Sequence, residues 1–256
     1  MRFASIESLT AISHSYNAAA SSFRLPVDTY QNWAVLVAES GRFEYHMGNL
    51  SGVAGLGDVV LCPPGVAMER RVLTPLSFHF VEFSLYPPQE SETCTAALVA
   101  DLDRLNNTFT YLRREASSIA PARLARVAHF VRDIIFLCDS DCRQRGGQTG
   151  DSLVADVSRK LRERALEGVA LREVAAGASL SPVQLVRRFH AAMGQTPREY
   201  VEAIRLQHAR TMLVETDNVL DVIAHKCGYR SAFYLSRLFK QRFGVSPSEF
   251  RSRSKI

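Results

Sequence analysis

The stretch Ser181 to Tyr200, SPVQLVRRFHAAMGQTPREY, returns fifty residues later as SAFYLSRLFKQRFGVSPSEF, with seven of its twenty positions unchanged. The shared residues are Ser181/Ser231, Leu185/Leu235, Arg187/Arg237, Phe189/Phe239, Gly194/Gly244, Pro197/Pro247 and Glu199/Glu249. Read as a helix, Leu185 and Phe189 fall one turn apart on one face, Arg187 points away from them, and Gly194 supplies a left-handed stop. Leu235, Phe239, Arg237 and Gly244 repeat the pattern. Before each copy runs a short apolar stripe, Leu171, Val174, Ala175 and Ala178 ahead of the first and Val219, Val222, Ile223 and Cys227 ahead of the second. Ser179-Leu180-Ser181 and Gly228-Tyr229-Arg230 stand between stripe and copy. A short helix, a tight turn and a second helix make a helix-turn-helix. Small Ala175 and Ala224 at matching places allow close approach, and Ser181-Pro182 opens the second helix with a cap and a proline at its first position.

Between the copies, Tyr200, Ala203, Ile204, Leu206, Ala209, Leu213 and Val214 recur at helical spacing behind Pro197. A helix over 197–215 is roughly 28 Å long at 1.5 Å per residue, close to the roughly 34 Å of one DNA turn. Two second helices held apart by such a rod suit successive major grooves on one face of a duplex. The reading is then of a non-palindromic site by a single chain.

At this point the residues resemble a family. SPVQLVRRFHAAMGQTPREYVEAIRLQHARTML and VIAHKCGYRSAFYLSRLFKQRFGVSPSEF are similar to the DNA-binding domain of the AraC/XylS transcription regulators. The resemblance spans about one hundred residues from Ser152. It implies two helix-turn-helix units (about 171–193 and 219–243) joined by a long helix. Placed residue by residue on the family pattern, the base-reading side of the first recognition helix carries Val183, Gln184, Val186, Arg187 and His190. The second carries Ser231, Ala232, Phe233, Ser236 and Arg237. Arg187 and Arg237 stand out, because a guanidinium bonds O6 and N7 of guanine together. Val183, Val186 and Ala232 suit thymine methyls, and Arg188, Lys226, Arg230, Lys240 and Arg242 suit phosphates. Two departures from the family stand out. Ser179 replaces the usual turn glycine, a strain if that position needs positive φ. Phe233 stands where a small polar residue is common and, if packed inward, leaves the second helix to read by shape.

Charge divides the chain the same way. From Asp151 onward there are 18 Lys+Arg against 11 Asp+Glu, net +7; the first 150 residues hold the other 13 against 15, net −2, together the chain's +5. The basic half is therefore the one expected to meet a polyanion. No run approaches the roughly 18 apolar residues of a membrane span, and MRFASIESLTAISHSYN makes a poor signal peptide. Cys62, Cys94, Cys138, Cys142 and Cys227 are odd in number and scattered, which suits a reducing cytosol. Cys138 and Cys142 flank the start of a linker without a nearby histidine, so neither a metal nor a cofactor is expected.

The first half begins without a strong period, as an arm with a strand or two over about 1–30. From Trp33, WAVLVAE, RFEYHM, DVVLCPP, AMERRVL and SFHFVEFSLY are strand-like runs punctuated by Gly and Pro. They predict a small antiparallel sandwich or barrel over about 20–87. GDVVLCPPGVAMERRV, Gly57 to Val72, resembles the hairpin of cupin-like sensor domains in AraC regulators. Cupin enzymes use paired histidines; this chain has only single His14, His46 and His79 here, which speaks against metal-dependent catalysis. A barrel mouth is a usual place for a small-molecule pocket. Tyr45, His46, Glu69, Arg71, His79 and Glu82 are the candidates to orient an effector, although alternation does not decide which of them point inward.

Past Pro87-Pro88 the period turns helical, with Ala97, Leu98, Leu102 and Leu105 in one stripe. Leu124, Val127, Ala128, Val131, Ile134, Ile135, Leu137 and Cys138 form a richer one, able to bury one face on the barrel and offer another to a second subunit. Residues 139–151, DSDCRQRGGQTGD, read as a flexible linker, and Leu153, Val154, Val157, Leu161, Ala165 and Leu166 as an opening helix. The expected architecture is thus two domains: a mainly β, cupin-like barrel followed by α-helices over 1–138 (α+β, helices about 95–138), and an all-α domain over 152–256. The expected function is a cytoplasmic, sequence-specific transcription regulator, not an enzyme. It is dimeric and, by resemblance, an activator that contacts RNA polymerase under a small-molecule effector such as a sugar. Alternatives are an effector-independent regulator whose barrel only dimerises, or a DNA-tethered cupin-type enzyme.

Overall fold

The computed structural model describes residues 8–86, 95–99, 101–144 and 152–254. Two compact units divide between Gly147 and Gln148. The strands of the first are β1 (Thr10–Ala20), β2 (Val27–Thr29), β3 (Trp33–Met47), β4 (Leu50–Ala54), β5 (Asp58–Cys62), β6 (Ala67–Ser84) and β7 (Thr95–Leu98), followed by the helices α1 (Leu102–Ala116) and α2 (Arg123–Gln144). The second unit is helical: α3 (Ser152–Glu163), α4 (Leu171–Ala176), α5 (Pro182–Met193), α6 (Pro197–Glu215), α7 (Leu220–Lys226), α8 (Ala232–Phe243) and α9 (Pro247–Ser254).

The antiparallel sheet follows the path β1-β6-β3-β5-β7, with β2 on β6 and β4 on β3. WAVLVAE and RFEYHM, expected as separate strands, are the continuous β3, and AMERRVL joins SFHFVEFSLY as β6. Ser40-Gly41 is not a turn. Gly41, at φ +76°, sits where the β3–β6 register shifts, and a Cβ there would lie 2.1 Å from the Pro75 carbonyl oxygen. A glycine opposite a proline makes a paired bulge that bends both strands without ending them. Beyond the bend β3 changes partner, from β5 to β4. Ala34, Leu36 and Ala38 before it share one buried cluster with Phe43, Tyr45 and Met47 after it, so the sheet folds over a common core.

The phase change near Val81 has a related cause. Leu76 to His79 are all buried. One face of this half of β6 looks into the common core, and the other, with His79, lies against Phe109 of α1, so alternation is lost. Ala97 and Leu98 belong to β7, paired with β5, and not to the helical stripe expected of them. Asp101 starts α1 instead, its Oδ1 accepting from Arg104 N–H at 3.0 Å. α2 buries Val127, Ala128, Val131, Ile134, Ile135, Leu137 and Cys138 and continues to Gln144, so the first residues of the expected linker are helical. The rest of that linker, 145–151, lies outside the described residues, as do Pro87-Pro88 and Cys94. Cys62, Cys138 and Cys227 are buried free thiols.

In the second unit the helix bounds follow the apolar spacing, and the caps explain where each helix begins. Ser181 and Gln184 form a reciprocal capping box at α5; Thr196 and Glu199 form another at α6, each helix opening with proline. Gly194 and Gly244 end α5 and α8 at φ +68° and +75°. Leu185, Phe189, Met193, Tyr200 and Ile204 are buried around the first pair of helices. Leu235, Leu238 and Phe239 meet Ile223, Ala224, Leu206, Ala209 and Leu213 around the second. Ala175 and Ala224 are both fully buried.

Candidate nucleic-acid interface

A helix that buries one stripe shows its opposite stripe to solvent, and on α5 and α8 that outward stripe is the predicted reading face. On α5, Val183, Gln184, Arg187, Arg188 and His190 are exposed and Val186 is half-buried. On α8, Ser231, Phe233, Arg237 and Lys240 are exposed with Arg230 just before them, while Ala232 and Ser236 are half-buried. Val183 is 77% and Phe233 81% exposed. Phe233 therefore does not pack inward. Tyr234, the next residue, takes the inner position against the α6–α7–α8 core, which leaves Phe233 on the outer face. Ala232 packs at the margin of that core.

Local bonds decide what several of these side chains can still offer. Gln184 Oε1 accepts from Ser181 N–H at 2.9 Å, so its amide NH2 is the part left to face outward. Ser231 Oγ accepts from Tyr234 N–H at 3.3 Å and caps α8; its hydroxyl proton remains as a donor. The Arg237 guanidinium lies 5.5 Å from the Tyr234 ring centre, a cation–π contact that orients it on the helix surface. Lys226 and Arg242, expected at phosphates, are exposed. Ser179 does adopt the left-handed backbone, at φ +55°, where the second unit has Gly228 at +73°.

The predicted effector residues do not come together. Tyr45 is buried in the core of the sheet, and Glu82, half-buried, accepts from Asn32 Nδ2–H at 3.3 Å. His46 and Glu69 are exposed cross-strand partners, and Arg71 pairs with exposed Glu44 at 2.7 Å. His79 is buried on the opposite face, beneath α1. The strand period explains the scatter: neighbours on a strand point to opposite sides, so a one-residue misreading moves a side chain across the sheet. The arginine on the core side is Arg70, the cross-strand partner of Tyr45, with its guanidinium 4.9 Å from the Phe23 ring centre. Sequence alone offered no way to choose between Arg70 and Arg71. A cleft of about 370 Å³ opens in the second unit, beside Leu161, Leu171, Val201, Arg205 and Tyr229; none of the predicted effector residues lines it.

Residues 174–253 match the family model described as a helix-turn-helix domain. The match runs from within α4 to α9. The chain is 38% identical over 90 residues to the HTH-type transcriptional regulator Rv1931c of Mycobacterium tuberculosis, covering 35% of each. To the HTH-type transcriptional activator RhaS of Salmonella schwarzengrund it is 31% identical over 132 residues, 52% of this chain and 47% of that one. A solved DNA-binding domain of AdpA in complex with a target DNA is 29% identical, covers 39% of this chain and 90% of its own, and has a TM-score of 0.37. The chain thus spans about half or less of the length of the curated relatives it matches. Both of those relatives are regulators of transcription by name. Among the described residues no helix is long and apolar enough to cross a membrane.

Proposed function

We propose that this chain is a sequence-specific transcription regulator that reads a non-palindromic DNA site with α5 and α8 in successive major grooves. The observation that carries the reading is the repeated presentation of Arg187 and Arg237. Each stands exposed at the same place on a helix that is anchored through Leu185/Phe189 or Leu235/Phe239 and stopped by Gly194 or Gly244. A flexible surface arginine can be merely solvated; two at equivalent places on rigid helices, joined by the α6 rod, form a spaced pair of reading heads. Val183 and Phe233 add exposed apolar groups of the kind that contact thymine methyls. Arg188, Arg230, Lys226, Lys240 and Arg242 hold phosphates around them.

The first unit serves as the regulatory and dimerising part. Tyr111 and Phe136 are exposed on α1 and α2, and Tyr111 stacks on Phe130 at 5.5 Å, an apolar surface suited to a second copy. Control by a small effector such as a sugar, contact with RNA polymerase, activation as the outcome and a cytoplasmic location belong to the same proposal. The filled core of the sheet, with Phe23, Phe43, Tyr45 and Phe78 packed together, favours the alternative in which this unit dimerises and takes no effector.

The test is site selection from random duplexes by the full chain, followed by Arg187→Ala and Arg237→Ala on the selected site. Each variant should lose about 5- to 150-fold in affinity, the loss of roughly 1–3 kcal/mol for a bidentate guanine contact, with preference relaxed at one base position and the melting temperature unchanged. Undiminished affinity in both variants refutes the assigned faces.

A further inference from the structure

The sheet face under α1 and α2 holds a chain of polar side chains that DNA recognition does not use. Arg113 of α1 pairs with Glu39 Oε2 at 3.0 Å; Glu39 Oε1 lies 2.9 Å from His79 Nε2; His79 Nδ1 lies 3.1 Å from His14 Nε2. Glu39 and His79 are each 1% exposed and His14 8%. Around them stand the Tyr16 ring, 4.8 Å from His79, the Phe109 ring, 5.5 Å from His79, and Arg123 at the start of α2, which donates to the His14 carbonyl oxygen at 2.7 Å. β1, β3, β6, α1 and α2 all meet here.

With Glu39 ionised against Arg113 and both imidazoles neutral, the bonding order sets where the protons sit. Glu39 is acceptor-only, so His79 donates to it from Nε2 and keeps a lone pair at Nδ1. His14 Nε2 then donates into that lone pair, which leaves His14 Nδ1 as a bare acceptor. It is buried and has no hydrogen-bond partner. One more proton on His14 has no good place. On His14 Nδ1 it makes a buried imidazolium whose N–H finds no acceptor. Glu39 is already balanced by Arg113, and Arg123 lies on the other side, so any added charge is positive among positives. Burial first, then repulsion from His79 whenever that ring carries a proton and from Arg123, holds His14 down at about 3 from the ordinary 6.5.

We propose that the Arg113–Glu39–His79–His14 chain is an acid-release latch, clamping α1 and α2 to the sheet at neutral pH and freeing them when His14 takes a proton. The sign follows from linkage. A histidine neutral in the closed arrangement and ordinary in the open one favours closure fully above pH 6.5, and that preference is lost as pH falls through 6.5 toward 3. Open relative to closed should grow about tenfold per pH unit, roughly thirtyfold at pH 5. Because α1 and α2 carry the surface assigned to dimerisation, regulatory use of the latch rests on the proposed function; the latch does not.

Amide hydrogen exchange on the full chain at pH 7.5 and 5.0, corrected for intrinsic rates, separates the two. Protection across α1 and α2 should fall about thirtyfold at pH 5.0, with α5 and α8 as internal controls. His14→Gln keeps a donor toward His79 and cannot titrate, so its protection should be nearly the same at both values. Should that variant fail to fold, the wild-type His14 imidazole read by NMR decides: it should stay neutral from pH 7.5 to 5.5 while the protein is folded. Equal wild-type protection at both pH values, an undiminished acid effect in His14→Gln, or an imidazole titrating near 6.5 overturns the latch. No DNA is needed for any of these readings.

Discussion

Ser179 and Gly228 occupy matching turns and both adopt positive φ, yet only one of them is glycine. A side chain in that region costs on the order of 1 kcal/mol, so Ser179→Gly should raise the stability of the second unit by roughly 0.5–1 kcal/mol, allowing for the extra freedom glycine gains when unfolded. Urea unfolding of the two proteins checks it, and a lower midpoint for the glycine variant would show that the serine is relieving the strain locally. Gly228 is the stricter site. A Cβ there would come 2.6 Å from the Leu166 carbonyl oxygen, a steric demand added to the backbone one. At this scale the sequence was informative where chemistry is local, in caps, stops and the turn at Ser179. It was silent where the answer depended on which side of a strand faced the core, as with Arg70 against Arg71. Phe233 is a mixed case, because the spacing leaves both Phe233 and Tyr234 near the helix margin and only the packing of Tyr234 decides.

Among the elements, the repeat extends past the recognition helices into the starts of α6 and α9. Thr196-Pro197-Arg198-Glu199 and Ser246-Pro247-Ser248-Glu249 build the same device: the glutamate accepts from the cap residue's N–H at 2.7 and 2.8 Å. These bonds, backbone first, hold both carboxyls below their ordinary 4.5. Depressed carboxyls help folding above the ordinary value and lose that help as pH falls through and below it. Thr196→Ala should therefore cost about 1 kcal/mol at neutral pH, with a smaller difference between variant and wild type at pH 3. A cost that stays constant from pH 7 to pH 3 would mean the carboxylate takes no part. The strands were harder to delimit. Gly and Pro within β3 and β6 looked like turns because a bulge and a turn use the same residues, and their difference lies in the partner strand. The stripe containing Ala97 and Leu98 failed for a similar reason: a few apolar residues fit a strand edge or a helix start equally well, and Asp101 arbitrates only once its cap is seen.

Over the whole molecule, the charge division and the unit boundary agree. The net +7 from Asp151 onward lies wholly in the unit that begins at Gln148. A fragment over 152–256 should fold alone and bind the selected duplex, with an affinity that falls steeply with salt as phosphates are neutralised and counterions released. Retained fold with no DNA binding would show that the first unit supplies part of the interface. The domain limits expected from sequence need one adjustment, since α2 carries helix through Gln144, past the proposed start of the linker.

The linear sequence by itself determined the helix-turn-helix pair, the connecting helix and the outward place of Arg187 and Arg237, because helical period, caps and stops act over a few residues and were written twice. Tertiary structure alone decided how β3 and β6 bend and pair, that Tyr45 and Arg70 face the core while His46, Glu69 and Arg71 do not, and that His14, Glu39, His79 and Arg113 meet. Those residues lie far apart along the chain, and only strand register and the placing of α1 bring them within bonding distance.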